Sequence, residues 1–350
     1  MRSFLDLDRS FAAQPPRLGA VLARIDFGRG QESLYRDQLP ALLSALAEQT
    51  RVASVTASNA IEGVVVASER AEQIVQEGTP SRFRNRNERE FAGYSDAIDE
   101  IMRGDQLEAL SVPFILHIHR QLLRYTGGRG GNLKTDDNLI VRYEDGQRIV
   151  IFKPPPWQET EYLLRELVDR YNDASTAGVA HPIVLMATFI LDFLAIHPFA
   201  HGNGRVARIL TSYLLLHEGY GVSRYVSVEQ RVFESKNSYY ASLQESQQDW
   251  RQGEHRIWPW VEYITTILDG AYDTFEQRIA AEHGTSGLSK QERVRVHVLK
   301  HAPAEFKIAD VRRALPGVSS ATIRLVLNEL RDAGKIRSST GRSASWTRID

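Results

Sequence analysis

The spacing of apolar residues along the chain predicts a protein built mainly of α-helices. Apolar side chains recur every three or four positions in residues 34–58 and 88–102, as expected of helices with one buried face. The first thirty residues, with Pro15, Pro16 and a Gly-containing stretch at 27–30, are predicted to form an arm outside the packed body. Further helices are predicted from the same periodicity at residues 113–123, 159–171, 182–196, 203–218, 239–247 and 258–280.

Two β-prone segments interrupt this helical pattern. The first is residues 140–143, the second is residues 149–152, and Glu144-Asp145-Gly146 lies between them. Two runs rich in β-branched and aromatic residues around a Gly-containing turn predict a hairpin. The prolines at 154–156 end the second strand, so the fold class is mainly α with one small β-hairpin.

The last sixty residues have the pattern of a separate module. Helices are predicted at residues 291–300, 308–315 and 321–333, with a turn at 316–319 and a strand-like tail at 335–349. This order resembles a winged helix-turn-helix. In that arrangement Ser319 or Ser320 caps the third helix, and its core contacts are expected from Leu325, Val326, Leu327 and Leu330.

Charge is distributed unevenly between this module and the rest of the chain. The formal net charge is -1, yet residues 285–350 contain thirteen Lys and Arg against six Asp and Glu. A basic winged helix could bind DNA, with Arg324 and Asn328 facing bases and Arg342 near phosphates beside a turn at Thr340-Gly341. Winged helices also dock proteins, so the sequence leaves both partners open.

Composition narrows the classes of function. Without cysteine there is no disulfide, thiolate metal site or cysteine nucleophile. The acidic N-terminal sequence is unlike a secretory signal and no apolar run approaches ~20 residues, so we expect a cytoplasmic protein with no membrane contact. Residues 282–290 suit a linker, which predicts an N-terminal helical region at 1–110, a core at 111–281 and a module at 289–350.

The most informative segment joins two predicted helices. His197-Pro198-Phe199 closes an apolar helix, and Gly202-Asn203-Gly204 leads into a helix that carries Arg205 and Arg208. A Gly-rich turn at a helix N-terminus suits phosphate oxygens, and two arginines on one helix face would compensate a di- or triphosphate. A nearby imidazole could accept the proton of an attacking hydroxyl. The alternative is an ordinary helix junction with surface arginines and a capping histidine.

Residues 197–208 read His-Pro-Phe-Ala-His-Gly-Asn-Gly-Arg-Val-Ala-Arg. They resemble the signature of the Fic family, His-x-Phe-x-acid-Gly-Asn-Gly-Arg-x-x-Arg, at every position but the acidic one. The resemblance implies a helical fold that binds ATP and transfers AMP to a Ser, Thr or Tyr hydroxyl of a target protein. It also implies roles for the matched residues: His197 as general base, Phe199 as anchor of the loop, Gly202, Asn203 and Gly204 around the phosphates, and Arg205 and Arg208 on the outer phosphates. Asn203 is also expected to be a catalytic residue together with His197.

Two further segments carry the resemblance beyond the signature. The predicted hairpin resembles the family's flap, whose edge strand aligns the target segment by backbone pairing. Tyr239-Tyr240 resembles the part that touches the adenosine, with Tyr240 as the nucleotide contact and Gln247 where an Asn is more usual. The alternatives are that the hairpin is only a lid and that the tyrosines belong to the core.

Residues 58–63, Ser-Asn-Ala-Ile-Glu-Gly, resemble the family's inhibitory motif. The resemblance makes Ser58 and Glu62 regulatory residues. A Glu62 carboxylate paired with Arg208 would occupy the guanidinium that should receive the γ-phosphate, and so would repress transfer. The same segment also suits a helix C-terminus capped by Gly63.

His201 stands where the family signature has an acidic ligand for Mg2+. Mg2+ prefers oxygen ligands whereas imidazole suits softer ions, so the metal, Mg2+ or Mn2+, stays open and no metal ligand is assigned. The possible outcomes are weak transfer with Mg2+ held by the phosphates alone, transfer with Mn2+, a different phosphate-containing substrate, or no catalysis.

The leading hypothesis is an autoinhibited protein adenylyltransferase whose partners are ATP and a target protein. One alternative is a weak or inactive Fic domain that senses nucleotide in a DNA-binding regulator. Another is a de-AMPylase, in which Glu62 orients water. A homodimer is also possible.

Overall fold

The computed structural model describes residues 2–12, 14–78, 82–104, 107, 109–128, 130–144, 147–283, 289–315, 317–339 and 345–349. These ranges are mainly helical, as predicted. The helices before the hairpin are α1 (Arg2–Leu5), α2 (Leu7–Ala12), α3 (Leu18–Gln38), α4 (Pro40–Ile61), α5 (Ser68–Glu77), α6 (Arg86–Arg103) and α7 (Val112–Leu122). After it come α8 (Thr160–Ala177), α9 (Pro182–Ile196), α10 (Asn203–His217), α11 (Val228–Glu234), α12 (Lys236–Gln247) and α13 (Trp258–His283).

Helix α9 lies at the centre of the protein. Every residue from Ile183 to Ile196 is buried, as expected of a helix that is apolar on all sides. It packs against α8, α10 and α13, and one continuous core runs from Phe4 to Ile279, across the predicted boundary at residue 110. In the described ranges we find no helix that is long and apolar enough to span a bilayer.

The prediction of an N-terminal arm is wrong. Phe4, Leu18 and Ile25 are buried in the main core, and α3 packs along α13. Gly28 lies inside α3, where an added Cβ would be 2.5 Å from the Tyr272 ring. This glycine therefore permits two helices to approach each other closely, and it does not mark a loop.

Most predicted helices are confirmed, but some boundaries differ. The helix predicted at residues 34–58 is divided, because α3 ends at Gln38 and Pro40 begins α4, where a missing N–H is tolerated. The short helices α5 and α11 were not predicted. Each spans ten residues or fewer, which leaves little periodicity to read.

The predicted hairpin is confirmed. Strand β1 (Ile140–Glu144) pairs antiparallel with β2 (Gln147–Phe152), with Val141 opposite Val150 and an irregularity beside Ile140. The turn residues Asp145 and Gly146 lie outside the described residues.

The C-terminal unit contains α14 (Lys290–Lys300), β3 (Glu305–Phe306), α15 (Ile308–Ala314), α16 (Ser320–Asp332), β4 (Ile336–Ser338) and β5 (Trp346–Arg348). The strands form an antiparallel sheet of order β3-β5-β4, over a core of its own from Val294 to Trp346. The winged-helix assignment and the domain limits stay predictions. Residues 284–288 of the predicted linker, Pro316 and the Thr340-Gly341-Arg342 segment lie outside the described residues.

Two predictions about α16 can be compared with its contacts. The Ser319 hydroxyl caps the helix by accepting a hydrogen bond from the backbone of Thr322. Leu325, however, is 48% exposed, so its predicted core role is wrong. The buried face follows the spacing of Ile323, Val326, Leu327 and Leu330, and position 325 lies outside that spacing.

Candidate nucleotide-binding site

The site is built at the junction between α9 and α10. His197 ends α9 in a left-handed conformation (φ 51°, ψ 61°), with its backbone N–H bonded to Phe193 O. Gly202 (φ 84°) is the N-cap residue directly before α10. Positive φ angles are costly for a residue with a side chain, so the surrounding contacts must hold His197 in place.

The His197 side chain has the protonation state that a general base requires. Its Nδ1 lies 3.4 Å from the carbonyl of Leu194. Since a carbonyl only accepts hydrogen bonds, Nδ1 carries the proton and Nε2 keeps its lone pair. Burial lowers the pKa of His197 to about 4, so the imidazole is neutral at pH 7.

Asn203 holds the loop between the two helices in shape. Its Oδ1 accepts a hydrogen bond from the backbone N–H of Phe199, and its Nδ2 donates to the carbonyl of the same residue. Phe199 itself is fully buried. The Asn203 amide is therefore engaged inside the loop, and the contact of this residue with phosphate stays a prediction.

His119, on α7, supports this loop. The sequence did not predict this role. Its ring stacks on Phe199 at 3.7 Å. Its Nδ1 accepts from the N–H of Gly131, so Nε2 carries the proton and donates to the carbonyl of His201 at 3.2 Å. Burial lowers the pKa of His119 to about 4, which keeps this arrangement neutral.

Lys134 is a second buried residue whose role the sequence did not predict. Its ammonium donates to the carbonyls of Pro155 and Ile196 at 3.0 and 3.1 Å and to Asn138 Oδ1 at 3.2 Å. Burial lowers its pKa to about 8. Because Ile196 directly precedes His197, Lys134 fixes the end of α9 against the segment that follows the hairpin.

Both predicted arginines are buried beside the N-terminus of α10. Nη2 of Arg205 lies 2.9 Å from Glu90, and Arg208 donates to the hydroxyl and carbonyl of Ser58 at 2.7 and 3.0 Å. Nε and Nη1 of Arg205 and Nη1 of Arg208 are buried without a hydrogen-bond partner in the part of the chain that the structure describes. Buried N–H groups without a partner are costly, and a phosphate would satisfy them once the two side chains turned towards it.

Glu62 lies against the same helix N-terminus. Its Oε1 is 2.8 Å from Nη2 of Arg208, which is the ion pair expected from the sequence. A Cβ on Gly204 would lie only 2.4 Å from Glu62 Oε1, so this glycine leaves room for the carboxylate. Burial acts to raise the pKa of Glu62, but the charge and hydrogen bond of Arg208 outweigh it and the pKa is lowered.

His201 lies on the exposed part of the loop. Mg2+ takes oxygen ligands, and the signature position that would supply a carboxylate holds an imidazole instead. Glu62, the carboxylate against α10, is already paired with Arg208. Within the described ranges no cluster of three or more His, Asp or Glu side chains is arranged to hold a metal. The residues present therefore do not fit a Mg2+ site.

Tyr240 lies on α12, which the hairpin strand β2 contacts. Tyr240 is 43% exposed and meets the buried Tyr239 edge to face at 5.1 Å. The hairpin strand β2 and α12 enclose a cavity of about 390 Å³, with Gln247 in its lining. Gln247 Nε2 is buried with no partner among the described residues.

Comparison with known proteins identifies one segment of the chain. Residues 109–215 match the family model described as "Fic/DOC family". The protein adenylyltransferase and cysteine protease IbpA of Histophilus somni is 32% identical over 124 residues, which is 35% of this chain and 3% of that protein. The protein adenylyltransferase Fic of Nematostella vectensis is 26% identical over 171 residues, 48% of this chain and 34% of that protein. The chain thus matches about a third or less of each relative.

Solved structures resemble the fold over a larger part of this chain than the sequence relatives cover. A Fic family protein from Desulfovibrio desulfuricans G20 is similar over 96% of both chains, with a TM-score of 0.60 and 22% identity. A Fic domain containing signaling protein from Bacteroides thetaiotaomicron is similar over 71% of this chain and 95% of that chain, with a TM-score of 0.60 and 21% identity. At this identity the likeness concerns the fold alone. Residues 109–215 therefore match the Fic/DOC family, and the fold of the chain resembles that of solved Fic proteins.

Proposed function

We propose that this chain transfers AMP from ATP to a hydroxyl group of a target protein, and that Glu62 keeps this activity low. The observation that carries the proposal is the junction of α9 and α10. There one loop presents a neutral imidazole next to a helix N-terminus and two arginines with unfilled N–H groups. The adenylyltransferase names of the relatives support the same reaction class.

The reaction would proceed by attack of the target hydroxyl oxygen on the α-phosphorus of ATP. His197 Nε2 accepts the hydroxyl proton as the new P–O bond forms. The bond from the α-phosphorus to the oxygen that bridges to the β-phosphorus breaks, and pyrophosphate leaves. The N–H groups at the start of α10, together with Arg205 and Arg208, compensate the charge on the leaving phosphates.

Other residues would orient the two substrates. Gly202 and Gly204 let the backbone approach the phosphates, and Tyr240 contacts the adenosine. The free edge of the hairpin pairs with an extended segment of the target protein, which brings its hydroxyl to His197. Asn203, His119 and Lys134 are positioning residues, because each acts on the loop rather than on a substrate.

Repression would follow from the ion pair between Glu62 and Arg208. While it persists, Arg208 is not available to the γ-phosphate, and the Glu62 carboxylate lies against Gly204 where phosphate oxygens would bind. Two negative groups cannot share this position without strong repulsion. Ser58 reinforces the pair by holding the other edge of the guanidinium.

The test is transfer of label from α-labelled ATP to the protein itself and to proteins of a bacterial lysate. We compare the wild type, Glu62→Gly, Glu62→Gly with His197→Ala, and the exposed-site control Glu69→Gly, each with Mg2+ and with Mn2+. We expect strong labelling only for Glu62→Gly, with the control at wild-type level. Labelling that survives His197→Ala contradicts the assigned base, and no labelling in any folded variant contradicts the activity.

The C-terminal unit is a second candidate site, for duplex DNA. Arg324 and Asn328 lie exposed on α16, on the helix that would enter the major groove. Its separate core supports treating residues 289–350 as a module of its own. The test is a mobility shift of duplex DNA by the full chain. We expect a shift that weakens as salt rises, and the absence of a shift at low salt contradicts this function.

A further inference from the structure

A cavity of about 460 Å³ lies away from the signature loop, between the end of α3, the first half of α4, the end of α6 and the short turn Gly221–Arg224. Its volume falls within the range of roughly 300–1,000 Å³ typical of small-molecule sites. The lining combines apolar side chains, including Leu43, Ile98 and Met102, with several arginines. Such a lining suits a ligand with an apolar body and a charged end.

The charged side chains that line this cavity indicate whether the charged end of such a ligand is positive or negative. Its lining has four arginines, Arg36, Arg51, Arg103 and Arg224, and two carboxylates, Glu48 and Asp99. Asp99 is shared by Arg51 and Arg103, and Arg36 is paired with Glu32 behind the wall. If Glu32 is counted as well, the described residues at this cavity supply four arginines and three carboxylates. One positive charge is therefore left uncompensated.

Unfilled hydrogen-bond donors accompany this excess charge. Thr50 Oγ1, Ser223 Oγ and Arg224 Nε are buried and have no hydrogen-bond partner within the described residues. Arg224 is bonded through Nη2 to the carbonyl of Gly104 only, so we find no carboxylate that neutralises it in the described ranges. Buried donors without partners are costly. Because all three side chains line the cavity, small rotations would let an anionic ligand satisfy them.

We propose that this cavity binds a small organic monoanion, namely a carboxylate carried on an apolar or aromatic body, with the carboxylate directed to Arg224 and the apolar body on the wall of α4 and α6. The site is separate from the nucleotide site and does not depend on the proposed transfer. Thr50, Ser54 and Ser58 follow one another at intervals of four along α4, and Glu62 comes at the next such interval, directly after the last residue of the helix. The ligand would thus contact the helix face that continues, ~12 Å further on, to Glu62.

The test uses naphthalene-1-acetate and its uncharged analogue naphthalene-1-acetamide as probes, titrated into the full chain in a calorimeter. We expect saturable binding of the acid, and binding of the amide weaker by about tenfold, since a charge-assisted hydrogen bond is lost. Equal affinities, or no saturable binding of the acid at millimolar concentration, would overturn the proposal.

Two variants locate the binding. Ala47→Trp should fill the cavity and abolish binding, whereas Ala41→Trp, at an exposed position of the same helix outside the lining, should bind as the wild type does. Arg224→Gln should weaken the acid about tenfold and leave the amide unchanged, a difference that general misfolding does not produce. Unchanged affinity of the acid for Ala47→Trp would place the probe elsewhere and overturn the site.

Discussion

Oε1 of Glu62 lies 2.8 Å from Nη2 of Arg208, across 146 positions of sequence. The pair joins the C-terminus of α4 to the first turns of α10, and the Arg208 side chain is only 6% exposed while that of Glu62 is 33% exposed. Water therefore reaches the carboxylate but hardly reaches the guanidinium. Such a pair can be broken from the side of Glu62 without exposing the core, which suits a contact that regulates.

The charge of Glu62 can be separated from its size. Glu62→Gln keeps an oxygen that accepts from Arg208 but removes the negative charge, whereas Glu62→Gly removes both. We expect initial rates of label transfer in the order Gly, Gln, wild type, with Gly faster than wild type by about tenfold or more, equivalent to ~1.4 kcal/mol. A Gln variant as slow as the wild type would show that shape, not charge, restrains the site.

Histidines whose pKa is lowered by burial, among them His119 and His197, predict how stability depends on pH. In the folded state His119 has a pKa of about 4, against an ordinary value of 6.5. Between these values the unfolded chain binds more protons, so the free energy of unfolding falls as pH is lowered from 6.5 towards 4. The expected slope is at most about 1.4 kcal/mol per pH unit for each such histidine.

Denaturant titrations at several pH values measure this slope. His119→Phe keeps a ring next to Phe199 but removes the titrating group. The free energy of unfolding of this variant should therefore change less steeply with pH, by the contribution of one histidine, even though the variant is less stable overall. Parallel pH curves for this variant and the wild type would contradict the assignment.

Replacing His201 by a carboxylate should restore an oxygen ligand at the signature position. In a Glu62→Gly background we expect His201→Asp to raise label transfer in Mg2+ by about tenfold, because Mg2+ binds carboxylate oxygen in preference to imidazole. His201→Asn, which has no charge, is the matched control and should gain much less. No gain with Asp, in a variant that still binds ATP, would mean that position 201 does not limit the reaction.

Lys134 is expected to stabilise both the fold and the catalytic loop. Lys134→Met leaves the carbonyls of Ile196 and Pro155 without their donor, at a cost of about 2–4 kcal/mol in the free energy of unfolding. The nearby exposed Lys153→Met should change stability by less than about 0.5 kcal/mol. In the Glu62→Gly background, Lys134→Met should also slow transfer while ATP affinity is retained. Equal stability of the two variants would contradict the assigned role.

The features that the sequence predicted best are those set by residues close together along the chain. The ends of α9 and the signature loop were predictable because a strongly apolar helix is followed by Pro198 and a Gly-Asn-Gly turn. His119 and Lys134 were not found, since their partners at residues 201 and 196 lie 82 and 62 positions away. The N-terminal helices were missed for a related reason, because the close contact of Gly28 with Tyr272 gives glycine a packing role that local propensity does not reveal.

Glu62 is not within α4 but is the first residue beyond it, since the helix ends at Ile61 and Gly63 follows with φ 77°. Its carboxylate can be withdrawn by fraying of the final turn, without displacement of the whole helix. Lys236 of α12 restrains that fraying by donating to the carbonyl of Ile61 at 2.8 Å. If this pair represses transfer as proposed, any change that loosens or tightens this last turn would alter how often Arg208 is free of Glu62.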